Sequence, residues 1–144
     1  MGATRLGPED RERSKALLSM MAETFEEESA ALSDRYVDGL LATTTVWIVG
    51  VFVGDKPAGG LVAHALPMTR SESQELFIYD VAVRAEYQRQ GIGRELVSYL
   101  GREAKARGIT LMFVPADNDD VHALDFYRAI GGQASPVTFF TFGE

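Results

Sequence analysis

Apolar side chains recur every four residues near the N-terminus, and this spacing predicts a helix. Leu17, Met21 and Phe25 would lie on one face of a helix over residues 8–28, a stretch rich in residues that favour helices. The acidic run Glu26–Glu28 would then form a solvent-exposed helix end. Acidic groups are better placed at the start of a helix than at its end, so this end is mildly unfavourable.

The middle of the chain changes to β-branched and aromatic residues, which predict strands. Val46–Val53 and residues 58–66 flank Gly54-Asp55-Lys56-Pro57, a sequence typical of a turn, so the two segments predict a hairpin. A further strand is predicted at residues 75–83, near the centre of the sheet, where a strand is covered on both faces. Its apolar residues are therefore expected to be buried on both faces: Leu76, Phe77, Ile78, Tyr79, Val81 and Val83.

Helix caps and glycine stops set the other boundaries. Serine and aspartate side chains bond free N–H groups at helix starts, and glycine favours the turn that ends a helix. The remaining predicted elements are a short helix from Ser33 or Asp34 to about Leu41, a helix from Gly91 or Gly93 to about Arg107, a strand at 109–114, a helix from Asp119 or Asp120 to Ile130, and a strand at 137–142. This order predicts an α+β sandwich around a central sheet, in one domain over residues 1–144.

Composition and charge exclude several classes of function. Apolar residues make up 46% and charged residues 24%, as in ordinary globular proteins, and no apolar run approaches the ~20 residues of a membrane-spanning helix. There is no cysteine, and the two histidines, His64 and His122, are too few for a multi-histidine metal site. We therefore expect no metal and a cytoplasmic protein. The net charge of −7 would repel nucleic acids, so we expect neither a nucleic-acid nor a membrane partner.

A basic, glycine-bearing loop at Gln88–Arg94 follows the strand at 75–83 and opens the next helix. Free backbone N–H groups and the positive end of the helix dipole would meet there, which favours an anion such as a pyrophosphate. Arg89 or Arg94 could add outer contacts. A P-loop would need Lys-Ser/Thr after Gly93, and a dinucleotide-binding fold would need a small residue where Leu96 stands, so neither motif fits.

The hexapeptide Gln88-Arg89-Gln90-Gly91-Ile92-Gly93 resembles the Gln/Arg-x-x-Gly-x-Gly/Ala loop of the GNAT superfamily of N-acetyltransferases. The resemblance implies an α/β/α sandwich with a mixed, mostly antiparallel central sheet, splayed strands and about four helices. It also implies acetyl-CoA (coenzyme A) as cofactor, with its pantetheine arm along an opened strand. The cofactor-binding residues that it implies are Val81, Ala82, Val83, Gln88, Arg89, Gln90, Gly91, Ile92, Gly93, Arg94, Phe126 and Tyr127.

A second motif, the Ala-x-x-x-Tyr at Ala123–Tyr127 that leads into Gly131, resembles the later helix of the same superfamily. In that family the tyrosine protonates the departing thiolate, and the resemblance gives Tyr127 this catalytic role. A phenol, with an ordinary pKa of about 10, is a suitable donor to a thiolate. The alternative is that Tyr127 only fills the core.

The stretch Phe77–Val83, followed by Arg89-Gln90-Gly91-Ile92 and Val114–Asp117, resembles more narrowly the class I aminoglycoside 3-N-acetyltransferases, the gentamicin acetyltransferases. This resemblance implies a small polycationic amine as substrate, acetylated directly at its 3-amino group, and antibiotic resistance as the outcome. The acids after Asp117 depart from the subfamily pattern, which affects the choice of antibiotic more than the use of the cofactor.

An amine must lose a proton before it attacks, so a carboxylate is expected near the reaction centre. Asp80 is the first candidate for a catalytic base, although it could instead be a structural carboxylate. Helix capping is the alternative for Asp119 and Asp120. The predicted substrate-binding acids are Asp80, Asp117, Asp119, Asp120 and Glu75.

The C-terminal run Phe139-Phe140-Thr141-Phe142 carries apolar side chains at consecutive positions. Such a run could be a fully buried strand of its own sheet. It could equally pack against a second subunit, so the chain is a possible homodimer. The superfamily resemblance favours a dimer, and the residues alone do not decide between the two.

Overall fold

Five strands form one sheet in the computed structural model, which describes residues 2–28 and 31–143. The strand order is β1-β2-β3-β4-β5, antiparallel throughout except for the parallel pair β4–β5. The strands are β1 (Thr4–Arg5), β2 (Val46–Val53), β3 (Lys56–Pro67), β4 (Gln74–Val83) and β5 (Met112–Phe113). The helices are α1 (Arg11–Thr24), α2 (Asp34–Ala42), α3 (Ile92–Ala106) and α4 (Val121–Ala129), with a 3₁₀ turn at Ala85–Tyr87. The predicted mixed, mostly antiparallel α/β fold with four helices is confirmed.

Each face of the sheet buries one helix layer, because apolar residues of the strands alternate between the two faces. On one face, α3 packs its stripe of Ile92, Leu96, Leu100 and Ala104 against Trp47 and its neighbours. On the other face lies a second apolar cluster, which contains Leu6, Leu17, Met20, Met21, Ile48 and Ala82. The sheet is therefore the middle layer of three.

The first helix is shorter than predicted. It begins at Arg11 and ends at Thr24, and Phe25 is its exposed C-cap instead of a member of the buried face with Leu17 and Met21. Glu26 then takes a left-handed φ of 57°, which turns the chain away from the helix. No basic residue stands in the last turn of α1, so the acidic run that follows has no partner charge within the helix. The acidic run therefore lies in a connecting segment rather than on a helix.

Strand β4 is covered less completely than predicted. Leu76 and Ile78 are buried on the α3 face, whereas Tyr79 is 62% exposed. The register with β3 shifts beside Tyr79, because Val62 pairs with Asp80 and Ala63 with Ile78. This bulge leaves Tyr79 without a cross-strand partner. Val81 and Val83 are half-buried against the α3 side of the core.

Two predictions near the C-terminus differ from the structure. The strand predicted at 109–114 is only the two-residue β5, and the strand predicted at 137–142 does not form. A strand needs a neighbour to bond its backbone, and residues 133–143 have none among the described residues. The helix caps, by contrast, are confirmed: Ser33 Oγ accepts the Tyr36 N–H at 3.1 Å. In the described part of the chain, no helix combines the length and apolar character needed to cross a membrane.

Ser14 is fully buried in α1, and within the described residues its Oγ has no hydrogen-bond partner. A buried hydroxyl without a partner costs about 1–3 kcal/mol of desolvation. We expect Ser14→Ala to raise the free energy of unfolding by about 1 kcal/mol more than Ser19→Ala does. Ser19 is exposed on the same helix, so it controls for the better helix propensity of alanine. Urea unfolding measures both, and a destabilising Ser14→Ala would show that the hydroxyl has a partner.

Candidate active site

An opening between β4 and β5 lies at the centre of the candidate site. The two strands pair only at Leu76 with Met112 and at Phe77 with Phe113. β5 then ends, and Pro115 close behind it has no N–H to extend the ladder. Within the described residues, β4 from Ile78 to Val83 therefore has a strand partner on the β3 side only. Backbone groups of this stretch that point away from β3, such as the N–H groups of Val81 and Val83, are available to an extended ligand.

The loop after β4 is shaped to hold an anion. Gly91 is the N-cap of α3 with a left-handed φ of 79°, and Arg89 before it has a φ of 64°, which is uncommon for a residue with a side chain. The first backbone N–H of the helix with an acceptor is that of Glu95, which donates to the Gly91 carbonyl at 2.9 Å. Among the described residues, the N–H groups from Gly91 to Arg94 have no acceptor. They form a ready set of donors at the positive end of the helix dipole.

Two of the basic side chains around this loop are already engaged. Lys56 Nζ lies 3.2 Å from a Glu86 carboxylate oxygen, and Arg84 Nε donates to the Pro57 carbonyl at 2.9 Å. Arg94 is exposed, and its guanidinium donates to the Ala129 carbonyl at 3.5 Å. Arg89 is also exposed, and in the described part of the chain it forms no ion pair. Arg89 and Arg94 are thus the cations available to an anion at this loop.

Two of the remaining loop residues, Gln88 and Gly93, have structural contacts. Gln88 Nε2 donates to the Val83 carbonyl at 3.2 Å, which ties the loop to the end of β4. Gln90 is exposed. A Cβ on Gly93 would lie 3.0 Å from the ring of Phe126, so this glycine allows α4 to approach α3 closely. The sequence predicted that both glycines serve the approach of an anion, whereas Gly93 also has this packing role.

Tyr127 on α4 is influenced by the charge of Asp80 on β4. Tyr127 lies on α4, half-buried, with its ring 5.1 Å from that of Phe126. Burial raises the pKa of Tyr127, and the negative charges of Asp80 and Asp120 raise it further. A phenol with a raised pKa remains protonated at neutral pH and can act as a proton donor. The structure therefore brings the two predicted catalytic residues into one electrostatic neighbourhood.

Asp80 lies in the wall of a cleft of about 520 Å³ between β4 and the end of α1. Burial raises the pKa of Asp80, the charge of Glu27 raises it further, and His64 lowers it. The cleft lining includes Lys15, Leu18, Met21, Phe25, Glu27, Leu32, Val62 and Asp80. The sequence does not predict this position of Glu27, because no local pattern distinguishes it within its acidic run.

The other predicted substrate-binding acids do not join one cluster. Asp120 caps α4 through a 3.0 Å bond from the Ala123 N–H, as the capping alternative predicted. Asp117 and Asp119 are exposed in the loop before α4, and their carbonyls accept N–H groups of that loop. Glu75 stands five residues before Asp80 on β4, about 16 Å away along an extended strand. Of these acids, Asp80 and Asp120 raise the pKa of Tyr127 through their charge.

The described residues assemble no group of three or more His, Asp or Glu side chains that could hold a metal ion. The site instead offers hydrogen-bond donors, namely the backbone N–H groups of the loop, two arginines and one phenol, together with two carboxylates that accept hydrogen bonds or protons. Such a set suits a ligand with phosphates at one end and a polar reacting group at the other.

Comparison with known families gives one match that spans most of the chain. Residues 14–131 match the sequence profile of the Acetyltransferase (GNAT) family. The matched range contains the loop, β4, β5 and α4, and so includes each element of the site.

Several solved structures superpose on nearly the whole chain. An aminoglycoside acetyltransferase from an uncultured soil metagenomic sample, crystallised in complex with sisomicin, is 28% identical with a TM-score of 0.91 and aligns over 99% of this chain and 95% of its own. A second aminoglycoside acetyltransferase from such a sample is 26% identical with a TM-score of 0.90, over 99% of this chain and 97% of its own.

Curated relatives match over shorter stretches. The Escherichia coli K12 [ribosomal protein bS18]-alanine N-acetyltransferase is 30% identical over 67 residues, which are 46% of this chain and 45% of that protein. The Arabidopsis thaliana GCN5-related N-acetyltransferase 2, chloroplastic, is 40% identical over 72 residues, which are 48% of this chain and 27% of that protein. The aligned stretch thus spans less than half the length of these curated relatives.

Proposed function

This chain belongs to the Acetyltransferase (GNAT) family, and from that premise we propose that it transfers the acetyl group of acetyl-CoA to an amine of an aminoglycoside. The observation that carries the proposal is the set of N–H groups from Gly91 to Arg94 without acceptors, beside the open edge of β4. Asp80 and Tyr127 stand near this edge with raised pKa values.

The residues present fit acetyl-CoA. Its pyrophosphate is a dianion, and the loop offers backbone donors, a helix N-terminus and the exposed guanidinium groups of Arg89 and Arg94. The pantetheine arm contains amides, which match the backbone groups of Val81 and Val83 that point away from β3. When bound, the cofactor supplies a thioester whose carbonyl carbon is open to attack by an amine.

Three groups of this chain would carry the reaction. Asp80 accepts the proton of the substrate ammonium, and its raised pKa makes it a stronger base than an exposed carboxylate. A backbone N–H on the open edge of β4 bonds the carbonyl oxygen as negative charge develops on it. Tyr127 donates its phenolic proton to the departing sulfur. The transfer is direct, and the chain has no cysteine that could carry the acetyl group.

The proposal of an aminoglycoside as acceptor has two supports. The solved structures that align over 99% of this chain at 26–28% identity are aminoglycoside acetyltransferases, one of them in complex with sisomicin. The cleft beside Asp80 also holds Glu27, and two carboxylates suit a substrate with several ammonium groups. We propose the 3-amino group as the acetylated position.

A thiol-release assay with purified protein, acetyl-CoA and a panel of amines tests the substrate. We expect turnover with gentamicin and sisomicin, and NMR of the product identifies the acetylated nitrogen. A peptide with an N-terminal alanine belongs in the panel, because the E. coli relative is an alanine N-acetyltransferase. Polyamines and small metabolite amines complete it. Turnover of the peptide alone would identify a protein N-terminus, and not an aminoglycoside, as the acceptor. Binding of coenzyme A without turnover of any amine would indicate a binding module.

The charge of Glu27 should affect the pH dependence of kcat/KM. Because Glu27 contributes to the raised pKa of Asp80, Glu27→Gln should lower that pKa. Asp80 acts in its ionised form, so the rise of kcat/KM with pH should move to lower pH in this variant. Glu26→Gln removes the same charge one residue earlier and is the matched control. If the rise of kcat/KM with pH is the same in Glu27→Gln as in the wild type, then either Glu27 does not act on Asp80 or Asp80 is not the base.

A further inference from the structure

Tyr79 belongs to a row of aromatic side chains that the proposed reaction does not use. Its ring centroid lies 6.0 Å from that of His64, which it meets edge-on, and 5.7 Å from that of Phe77. Phe77 in turn stacks on Phe113 at 5.1 Å. Phe77 and His64 are half-buried, whereas Tyr79 is 62% exposed. The Tyr79 ring is therefore held by two neighbours and still offers surface to a ligand.

The bulge in β4 decides on which face of the sheet Asp80 lies. Leu76 and Ile78 pack into the core on the α3 face, and strict alternation along the strand would place Asp80 on that face as well. Because Tyr79 is the extra residue of the bulge, Asp80 pairs instead with Val62, which packs against the cluster on the opposite face. Directly paired residues share a face, so the bulge moves Asp80 to the face on which the cleft lies.

The aromatic row lies on the same face as Asp80. Phe77 pairs with His64, and His64 stands two residues after Val62 on β3, so both rings lie on the face that Val62 shares with Asp80. Tyr79 contacts both rings and therefore projects to this face as well. Bulges next to active sites often re-aim a side chain in this way. Here the bulge places Tyr79 and Asp80 side by side, although a regular strand would send these consecutive residues to opposite faces.

The charges around Tyr79 indicate the chemistry of a ligand that would cover it. Asp80 is its neighbour in the chain, and Glu27 lines the same cleft as Asp80. These carboxylates favour ammonium groups, and the negative face of an aromatic ring attracts cations and the C–H groups that a nearby cation polarises. An amino sugar offers both, with ammonium groups around its ring and C–H groups on its faces. A linear polyamine has the ammonium groups but no ring face.

We propose that Tyr79 determines the specificity for the acceptor: its ring stacks on the C–H face of an amino-sugar ring while Asp80 holds an ammonium group of the same molecule. The inference rests on the proposed function, since it names the part of the acceptor that Tyr79 recognises. Phe77 and His64 hold the Tyr79 ring in position. Tyr79 touches no reacting atom, so it contributes to the binding of the acceptor and not to the chemical step.

Titration of the full chain with sisomicin tests this contact without turnover, because coenzyme A, present at saturation, carries no acetyl group. We expect Tyr79→Leu to raise the dissociation constant for sisomicin about tenfold, since it removes the aromatic face. Tyr79→Phe keeps that face and should bind sisomicin within about twofold of the wild type. Tyr36→Leu is the matched control, because Tyr36 on α2 is 58% exposed, and it should also leave the affinity unchanged. Circular dichroism and the affinity for coenzyme A check that each variant folds.

A parallel titration with spermidine, a linear polyamine, separates recognition of the ring from recognition of charge. Tyr79→Leu should reduce the preference for sisomicin over spermidine about tenfold, because only sisomicin has a ring face to lose. Equal weakening toward both amines, or a loss in Tyr79→Phe as large as in Tyr79→Leu, would overturn the stacking contact.

The same titrations distinguish failure of this inference from failure of the proposed function. Wild-type affinity for sisomicin in Tyr79→Leu would overturn the role of Tyr79 and leave the aminoglycoside as acceptor. A parent chain that binds neither sisomicin nor gentamicin would overturn the proposed acceptor, and the stacking contact with it.

Discussion

Gly91→Glu is expected to raise the dissociation constant for coenzyme A at least about 100-fold, which corresponds to about 2.7 kcal/mol. Two effects act together. A side chain at φ 79° strains the backbone by about 1–2 kcal/mol, which would distort the N-cap of α3. The new carboxylate also stands among the donors from Gly91 to Arg94, where the pyrophosphate would bind, and repels it.

Gly108→Glu provides a closely matched control for this variant. Gly108 follows the other end of α3, has a similar φ of 76°, and like Gly91 has no atom within 4 Å of an added Cβ. The backbone strain and the added charge are therefore the same, and only the distance from the loop differs. Isothermal titration with coenzyme A should show wild-type affinity for Gly108→Glu within about twofold. Equal weakening by both substitutions would mean that the loop does not hold the phosphates.

Tyr127→Phe is expected to lower kcat by roughly 100-fold or more and to leave the affinity for coenzyme A within about twofold. General acid catalysis contributes about 10²–10⁴ in rate, and this substitution removes the phenolic proton while it keeps the ring beside Phe126. Tyr36→Phe, an exposed tyrosine on α2, removes a phenol elsewhere and should leave kcat unchanged.

The split between turnover and binding decides the role of Tyr127. Steady-state kinetics gives kcat, and titration with coenzyme A gives the affinity. A normal kcat in Tyr127→Phe would assign the residue to the core, which is the alternative that its half-buried position leaves open. A loss of affinity as large as the loss of kcat would make it a binding residue instead.

Elements that depend on neighbours in sequence were predicted well. The β2–β3 hairpin follows from β-branched residues on either side of Gly54, which takes the left-handed φ of 63° that its turn needs. The bounds of α3 follow from the glycines beside its two ends, Gly91 and Gly108, and the cap at Asp120 follows from the side chain of that one residue. In each case the physical cause lies within a few residues, so the sequence displays it.

Features that depend on distant contacts were missed. The bulge at Tyr79 arises from the register between β3 and β4, and no pattern within either strand displays that register. The effect of Glu27 on Asp80 joins the segment after α1 to the middle of β4. Residues 137–142 have the pattern of a strand in sequence, yet among the described residues they have no backbone hydrogen-bond partner, so no strand forms.

The contact between Gly93 and Phe126 links two tasks of the enzyme mechanically. Gly93 stands in the first turn of α3, and Phe126 directly precedes Tyr127 on α4. The ring of Phe126 thus sets the distance between α3, whose N-terminus is the proposed phosphate site, and α4, which carries the proposed proton donor. A larger residue at position 93 would press on Phe126 and displace the phenol of Tyr127, without a chemical change in any reacting group. Position 93 must therefore stay small, which limits how far the sequence of the loop can vary before the Tyr127 phenol is misaligned.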